Sequence, residues 1–365
     1  MRLCFLFILV FSTLNASGCK PEPHVTAPIV SGVIPTMRCE DLFVAETFID
    51  GRGPFWMLLD TGAGITTLTP ETAEKLDGTP ARSIKVGELS LTGRIRYRVA
   101  EMDHLVPAIG LPLDGILGHE VFEPVLLVYD FPKGEIRYRS GSLSDDEPGV
   151  APMSKGNKPR VGALLGDTKF NILLDTGYNG GLAINQGYRE LPFEFGPIQS
   201  GVQSRLKEGE IGIRLAGRLA TNATFGAFTV ERPIVQNAIN SHLLGTEILG
   251  RFVVTIDQRR GRVQMVLPDG TELHEAVTMP SETSVGAAFR PSDDGLVIEV
   301  VYPGMPAAEA GLREGDAIVA FSGEAWIAGD CASRELARSS TGGTVTIERD
   351  GERFEVTLRS AVLVP

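Results

Sequence analysis

The chain has 365 residues, 43% hydrophobic and 22% charged, with a formal net charge of −12. This is globular composition, with length for two or three domains, and the acidic balance argues against nucleic acid or anionic headgroups as partners. The 42 Gly and 23 Pro fit many short strands joined by turns. The five histidines (His24, His104, His119, His242, His274) show no metal-ligand spacing, so neither a metal nor another cofactor is expected.

Met1-Arg2 precedes an apolar run, Leu3 to Leu14, too short to span a bilayer. That is the pattern of a secretory signal over residues 1–18. Ala16-Ser17-Gly18-Cys19 resembles a bacterial lipobox, with Ala16 where Leu is commoner. The expectation is an exported periplasmic or cell-envelope lipoprotein, held to the membrane only by lipid on Cys19. The alternative is an ordinary cleavage site and a soluble secreted protein. Residues 19–34 read as a linker. Cys39 and Cys331 then remain, either as a disulfide or as two small buried hydrophobes.

Lobe one covers residues 35–140. Leu42 to Ile49 and Phe55 to Leu59 predict strands around an Asp50-Gly51 turn, and Pro70 to Leu76 a short helix with Pro in its first turn. Ser83 to Ala100 alternates as a β-hairpin, either a flap over a cleft or a plain structural element. A polar, turn-rich connection follows from Ser140 to Gly149. Lobe two covers residues 141–282, with strands at Val161 to Leu165, Lys169 to Leu174, Gly180 to Ile184, Ile211 to Leu219 and Ala223 to Val230.

The two lobes are copies of one pattern. Leu58-Leu59-Asp60-Thr61-Gly62-Ala63 recurs as Leu173-Leu174-Asp175-Thr176-Gly177, and a turn Gly precedes each Asp by nine positions, Gly51 and Gly166. Each copy continues to an apolar-apolar-Gly triplet, Ile116-Leu117-Gly118 and Leu243-Leu244-Gly245. A second Asp follows twelve positions after the triplet Gly, at Asp130 and Asp257, and Glu120 and Glu247 stand two after it. From first Asp to triplet Gly the copies differ, 58 positions against 70, as loops tolerate.

At these residues the chain resembles the retropepsin-like aspartic proteases, over about Leu42 to Leu267. The resemblance implies a mainly β fold in which two β-barrel lobes form a pseudo-dimer within one chain, as in the pepsin arrangement. It implies Asp60 and Asp175 as the catalytic pair, with Thr61, Gly62, Thr176 and Gly177 supporting them. Tyr178 stands where Ala or Ser usually follows Asp-Thr-Gly, which puts the fine geometry of lobe two in question. Residues 283–365 carry a third signature. The run Pro303 to Gly323 resembles the PDZ domains attached to bacterial periplasmic proteases. By that resemblance Gly286, Ala287, Ala288 and Phe289 lie at the loop that receives a peptide carboxylate, and a strand edge pairs with the peptide. Together these imply a monomeric aspartic-type endopeptidase acting on peptide or protein substrates, with a peptide or C-terminal tail bound by the PDZ-like unit. The rival is a degenerate protease scaffold that only binds peptides.

Overall fold

The computed structural model describes residues 24–25, 31–77, 81–204, 211–339 and 342–365. The expected signal at 1–18 and Cys19 lie outside the described residues, as does most of the 19–34 linker. The fold is mainly β, with short helices.

In lobe one, Leu42–Ile49 and Arg52–Asp60 pair antiparallel, Val44 opposite Leu58. Asp50 and Gly51 both take positive φ, 50° and 75°, the geometry of a tight two-residue hairpin. The strand Gly115–Gly118 then runs parallel beside the end of Arg52–Asp60 and sets Gly118 next to Asp60. The apolar-apolar-Gly triplet therefore walls the strand that carries the carboxylate. Lobe two repeats the arrangement. Arg160–Leu165 pairs with Thr168–Leu174, and Leu243–Leu244 lies parallel to Leu173–Leu174.

The lobes are fused beneath these strands. Leu126–Asp130 of lobe one pairs antiparallel with Val253–Asp257 of lobe two, at the centre of a six-stranded sheet. One continuous core runs through both lobes and includes Leu59, Tyr129, Phe131, Leu174, Phe252 and Ile256. The second aspartate of each repeat is structural. Asp130 is 1% exposed and accepts from Arg137 at 2.6 Å, and Asp257 is 3% exposed and accepts from Leu143 and Arg260 N–H. Each fastens a turn at the rim of the shared sheet.

The hairpin Ala81–Val86/Leu89–Ile95 is not a flap. It joins the main sheet of lobe one, Thr47 opposite Val86, and buries Ile84, Val86, Leu89 and Leu91. A Cβ on Gly87 at its turn would come within 2.8 Å of Pro35, so the turn rests on the N-terminal segment. The long hairpin is in lobe two, Phe193–Ser204 with Ile211–Leu219, joined to the lobe-two sheet through Ala216 to Arg218 beside Ile234–Asn237. Its first strand escaped sequence reasoning because Gly196-Pro197 breaks the alternation. This hairpin takes up the greater length of lobe two. Lobe one has its own addition, Asp103–Leu105 and the helix Val106–Ile109.

The C-terminal unit has a separate core of Leu296, Ile298, Ile318, Phe321, Val345 and Ile347 under a sheet running from Ala287–Pro291 to Glu352–Arg359. Buried Asp316 ties the sheet to Arg349 at 2.6 and 2.7 Å. The unit touches both lobes at their private additions. Arg334, on the helix Cys331–Ser339, donates to Ile109 O at 3.0 Å and pairs with Glu40 at 3.2 Å. On the other side Leu363 and Val364 of the unit pack with Ala216 of the lobe-two hairpin. Of the two alternatives for the cysteines, the structure has the disulfide, Cys39 to Cys331, across a separation of 292 residues.

A cross-link closing so long a loop restricts the unfolded chain strongly, by about 6 kcal/mol in the chain-entropy account, of which proteins commonly realise about 2–4. Cys39→Ser is expected to lower stability by that amount in urea unfolding, and reductant to do the same to the unmutated protein.

Candidate active site

Asp60 and Asp175 arrive from opposite lobes at the ends of equivalent strands. Their carboxylates act on each other and lie half-buried at the lobe seam, each against the turn glycine of the other lobe. Gly is required behind each. A Cβ on Gly62 would stand 2.4 Å from Asp175 Cγ, and one on Gly177 2.7 Å from Asp60 Cγ. Each carboxylate also accepts from its own glycine, Gly62 N–H to Asp60 Oδ1 at 2.6 Å and Gly177 N–H to Asp175 Oδ1 at 3.1 Å.

The threonines between them cross the seam. Thr61 N–H donates to Thr176 Oγ1 at 3.1 Å, and Thr176 N–H to Thr61 Oγ1 at 3.0 Å. Each hydroxyl then donates across to the other lobe, Thr61 to Leu174 O at 2.7 Å and Thr176 to Leu59 O at 3.0 Å. All four bonds are buried, where an unmade one is costly. Thr61 and Thr176 therefore bond across the lobes, whereas a single Asp-Thr-Gly would need its threonine only for the local turn.

Tyr178 leaves the backbone symmetry intact. Tyr178 N–H donates to Asp175 O at 3.2 Å as Ala63 N–H does to Asp60 O at 3.3 Å. The next links match as well, Thr246 N–H to Tyr178 O at 2.8 Å and His119 N–H to Ala63 O at 2.9 Å. The bulky side chain is turned aside, its hydroxyl donating to Gln236 Oε1 at 2.6 Å. Glu120 has a supporting place too, accepting from Thr66 N–H at 2.7 Å beside the triplet Gly. His119 is buried with no partner on either ring nitrogen among the described residues, and burial lowers it to about 4, so it is neutral near pH 7.

Burial pushes both seam carboxyls up. Asp175 rises well above the usual carboxylate range, through burial first and then the adjacent Asp60. Asp60 rises through burial, offset by the N–H groups of Gly62 and Ala63, by Asp175 and by the cation of Lys158. Two carboxyls in contact titrate as a pair, so a proton stays on the pair into a range where an ordinary Asp has lost it. Lys158 and the buried Tyr129, whose hydroxyl lies 3.5 Å from Leu59 O, were not singled out by sequence reasoning. Neither sits in a motif. A cavity of ≈ 410 Å³ lined by Phe48, Ile84 and Leu91 contains neither aspartate.

In the C-terminal unit Gly286 has a φ of +89°, and a Cβ there would meet Met305. Its N–H is taken by Ser284 Oγ at 3.0 Å. Ala287, Ala288 and Phe289 belong to the strand that follows, paired with Leu296–Val301. Ala287 and Ala288 are buried and Phe289 is half-buried. The lobe-two strand Phe193–Ser204 passes alongside this strand. The four residues expected to bind peptide thus form one loop-to-strand segment, neighboured by lobe two.

Two family models match the chain, that of an aspartyl protease over residues 45–106 and that of the PDZ domain over residues 283–359. The chain therefore carries a retropepsin-like aspartyl protease domain and a C-terminal PDZ domain. The protease match spans Asp60 but not Asp175, so the second carboxylate rests on the repeat and on the geometry. No curated protein matches the chain. Among solved structures, the chain is similar to the HtrA3 PDZ domain bound to a phage-derived ligand (FGRWV), at 17% identity and a TM-score of 0.20, covering 23% of this chain and 91% of that one.

Thr176→Val should leave Thr61 N–H buried without its partner and Leu59 O with only the longer bond from Tyr129. A loss of about 1–3 kcal/mol is expected in urea unfolding, from the one orphaned group. Thr176→Ser, which keeps the hydroxyl, should lose less than about 1.5 kcal/mol.

Proposed function

We propose that the protein is an aspartic-type endopeptidase in which Asp60 and Asp175 share one proton and activate a water between them. The observation that carries this is the meeting of two carboxylates from equivalent positions in two like lobes, each against the other's turn glycine and locked by the crossed threonines. Like charges in contact cannot both ionise easily, so the pair holds a proton and a charge together. The ionised member takes a proton from the water as it attacks the scissile carbonyl. The protonated member donates to the carbonyl oxygen, and the tetrahedral product of attack then collapses with a proton delivered to the leaving amine. Thr61 and Thr176 hold the two aspartate turns together across the seam, and Gly62 and Gly177 let the carboxylates meet. The chemistry needs no group beyond these side chains and water.

The PDZ domain supports binding of a peptide, with Gly286 to Phe289 at the receiving segment and the edge of Ala287–Pro291 as the pairing strand. Export and lipid attachment at Cys19 belong to the same proposal. A disulfide between Cys39 and Cys331 is stable in an oxidising envelope compartment and rare in a reducing one. A single chain supplies both carboxylates, which supports a monomer as the working form. The rival, a scaffold that only binds, drew on Tyr178, but the backbone bonds at Tyr178 match those at Ala63.

Asp60→Asn and Asp175→Asn, made separately, should each lower kcat/KM on a quenched fluorogenic peptide library by roughly 10²–10⁴-fold. Folding should be retained by circular dichroism. Full turnover in either variant would overturn the shared-proton scheme.

A further inference from the structure

The two lobes match closely at the seam and differ at one rung of their hairpins. In lobe two Leu173 pairs with Arg160, and Leu174 N–H donates to Pro159 O at 2.9 Å, so the next rung sets Lys158 opposite Asp175. Facing residues on an antiparallel pair project to the same side, with Cβ atoms about 5 Å apart. The same rung in lobe one, counted on from Val44 opposite Leu58, sets Leu42 opposite Asp60. Leu42 is 3% exposed and packs with Cys39, Met102 and Ile109. An ammonium in lobe two therefore stands where lobe one has a buried leucine.

Lobe one holds that ammonium's stem in place. Asn157 Nδ2 donates to Gly64 O at 2.6 Å, and Lys158 Cγ lies 3.0 Å from the position of a Cβ on Gly64. Lys158 is half-buried and makes no ion pair with a carboxylate among the described residues. The charged neighbours are few. Asp60 and Asp175 come from the two aspartate strands, and Lys158 acts on both of them. Tyr129 from the shared sheet and Tyr178 from the turn after Asp175 are kept protonated by burial. Glu120 is engaged with Thr66, and Glu247 lies beside Gly181. Arg160, one rung beyond Pro159, is spent on Asn171 O and Ser241 Oγ. Lys155 lies against Gly261.

We infer that Lys158 is a positioning residue of the dyad, a fixed countercharge that stabilises the singly ionised carboxylate pair and sets the acid edge of its working pH range. Its consequence for turnover rests on the hydrolase assignment above, whereas its effect on the carboxylates does not. A cation beside a buried pair favours loss of the first proton and opposes the pull of burial. Without it the pair holds its protons more tightly. The acid limb of activity then moves to higher pH, and the alkaline limb moves with it.

The test compares the full chain with its Lys158→Met, Lys158→Gln and Lys158→Arg variants, each labelled at Asp Cγ with carbon-13 and titrated by NMR. Asp60→Asn and Asp175→Asn serve for assignment. In Lys158→Met the seam carboxyls should titrate about one pH unit higher, a tenfold gain in proton affinity. Lys158→Arg should return to within a few tenths of a unit of the unmutated protein. The acid limb of kcat/KM on the fluorogenic peptide library should follow the same order. Should Lys158→Met fail to fold by thermal unfolding, Lys158→Gln gives the same comparison with a smaller side chain. Superimposable carboxyl titrations in the folded neutral variant would overturn the inference. Carboxyls that respond to Lys158 in a protein that cleaves no peptide would sink the hydrolase assignment and leave this inference standing. Cleavage with no response to Lys158 would do the reverse.

Discussion

Four buried hydrogen bonds between Thr61, Thr176 and the carbonyls of Leu59 and Leu174 hold the seam of this protein. They resist a repulsion. Two carboxylates desolvated side by side would separate or both protonate unless the backbone behind them were fixed. The threonines fix it by joining each aspartate turn to the opposite strand. The rest of the protease domain follows from that need. The triplet strands wall the aspartate strands, the glycines open room for contact, and the shared six-stranded sheet keeps the lobes from sliding. Strain anywhere in this set would be felt at the carboxylates, because close-packed protein interiors transmit small shifts.

The PDZ domain is attached where the lobes differ. Lobe one carries the extra segment from Asp103 to Ile109, and lobe two the long hairpin from Phe193 to Leu219. Arg334 reaches the first, and Leu363 and Val364 the second. The disulfide fastens the first contact covalently, one position before Glu40, which is itself paired with Arg334. The helix Cys331–Ser339 is thus held by one lobe, while the strand Ala287–Pro291 lies along the other. A domain resting on both lobes is so placed that any relative movement of the lobes changes its seat.

Much of this was legible in the chain. The doubled Asp-Thr-Gly frame, with equal spacings from turn Gly to Asp and from triplet Gly to second Asp, carries the lobe pseudo-symmetry. It works because a hairpin and its parallel neighbour have fixed lengths whatever the loops do. The second aspartates were visible as a repeat, but their work as turn fasteners was not, since a carboxylate at a strand end looks alike in both roles. The hairpin from Ala81 to Ile95 had a clear alternation and an ambiguous destination. Alternation reports one buried face and does not say which sheet covers it. The partner of Ile211–Leu219 was hidden by Gly196 and Pro197, which interrupt a strand without ending it.

By itself the sequence determined the β architecture, the internal duplication, the PDZ unit and the identity of the two seam aspartates. These are local matters of period, turn chemistry and spacing, each written within a few tens of residues. Only the tertiary structure decided that Cys39 meets Cys331, that Tyr178 turns aside onto Gln236, and that Lys158 stands beside Asp175 with a leucine in its place across the seam. Such contacts join residues far apart in the chain. They depend on how two hairpins are laid against each other, and no single stretch of sequence contains that geometry.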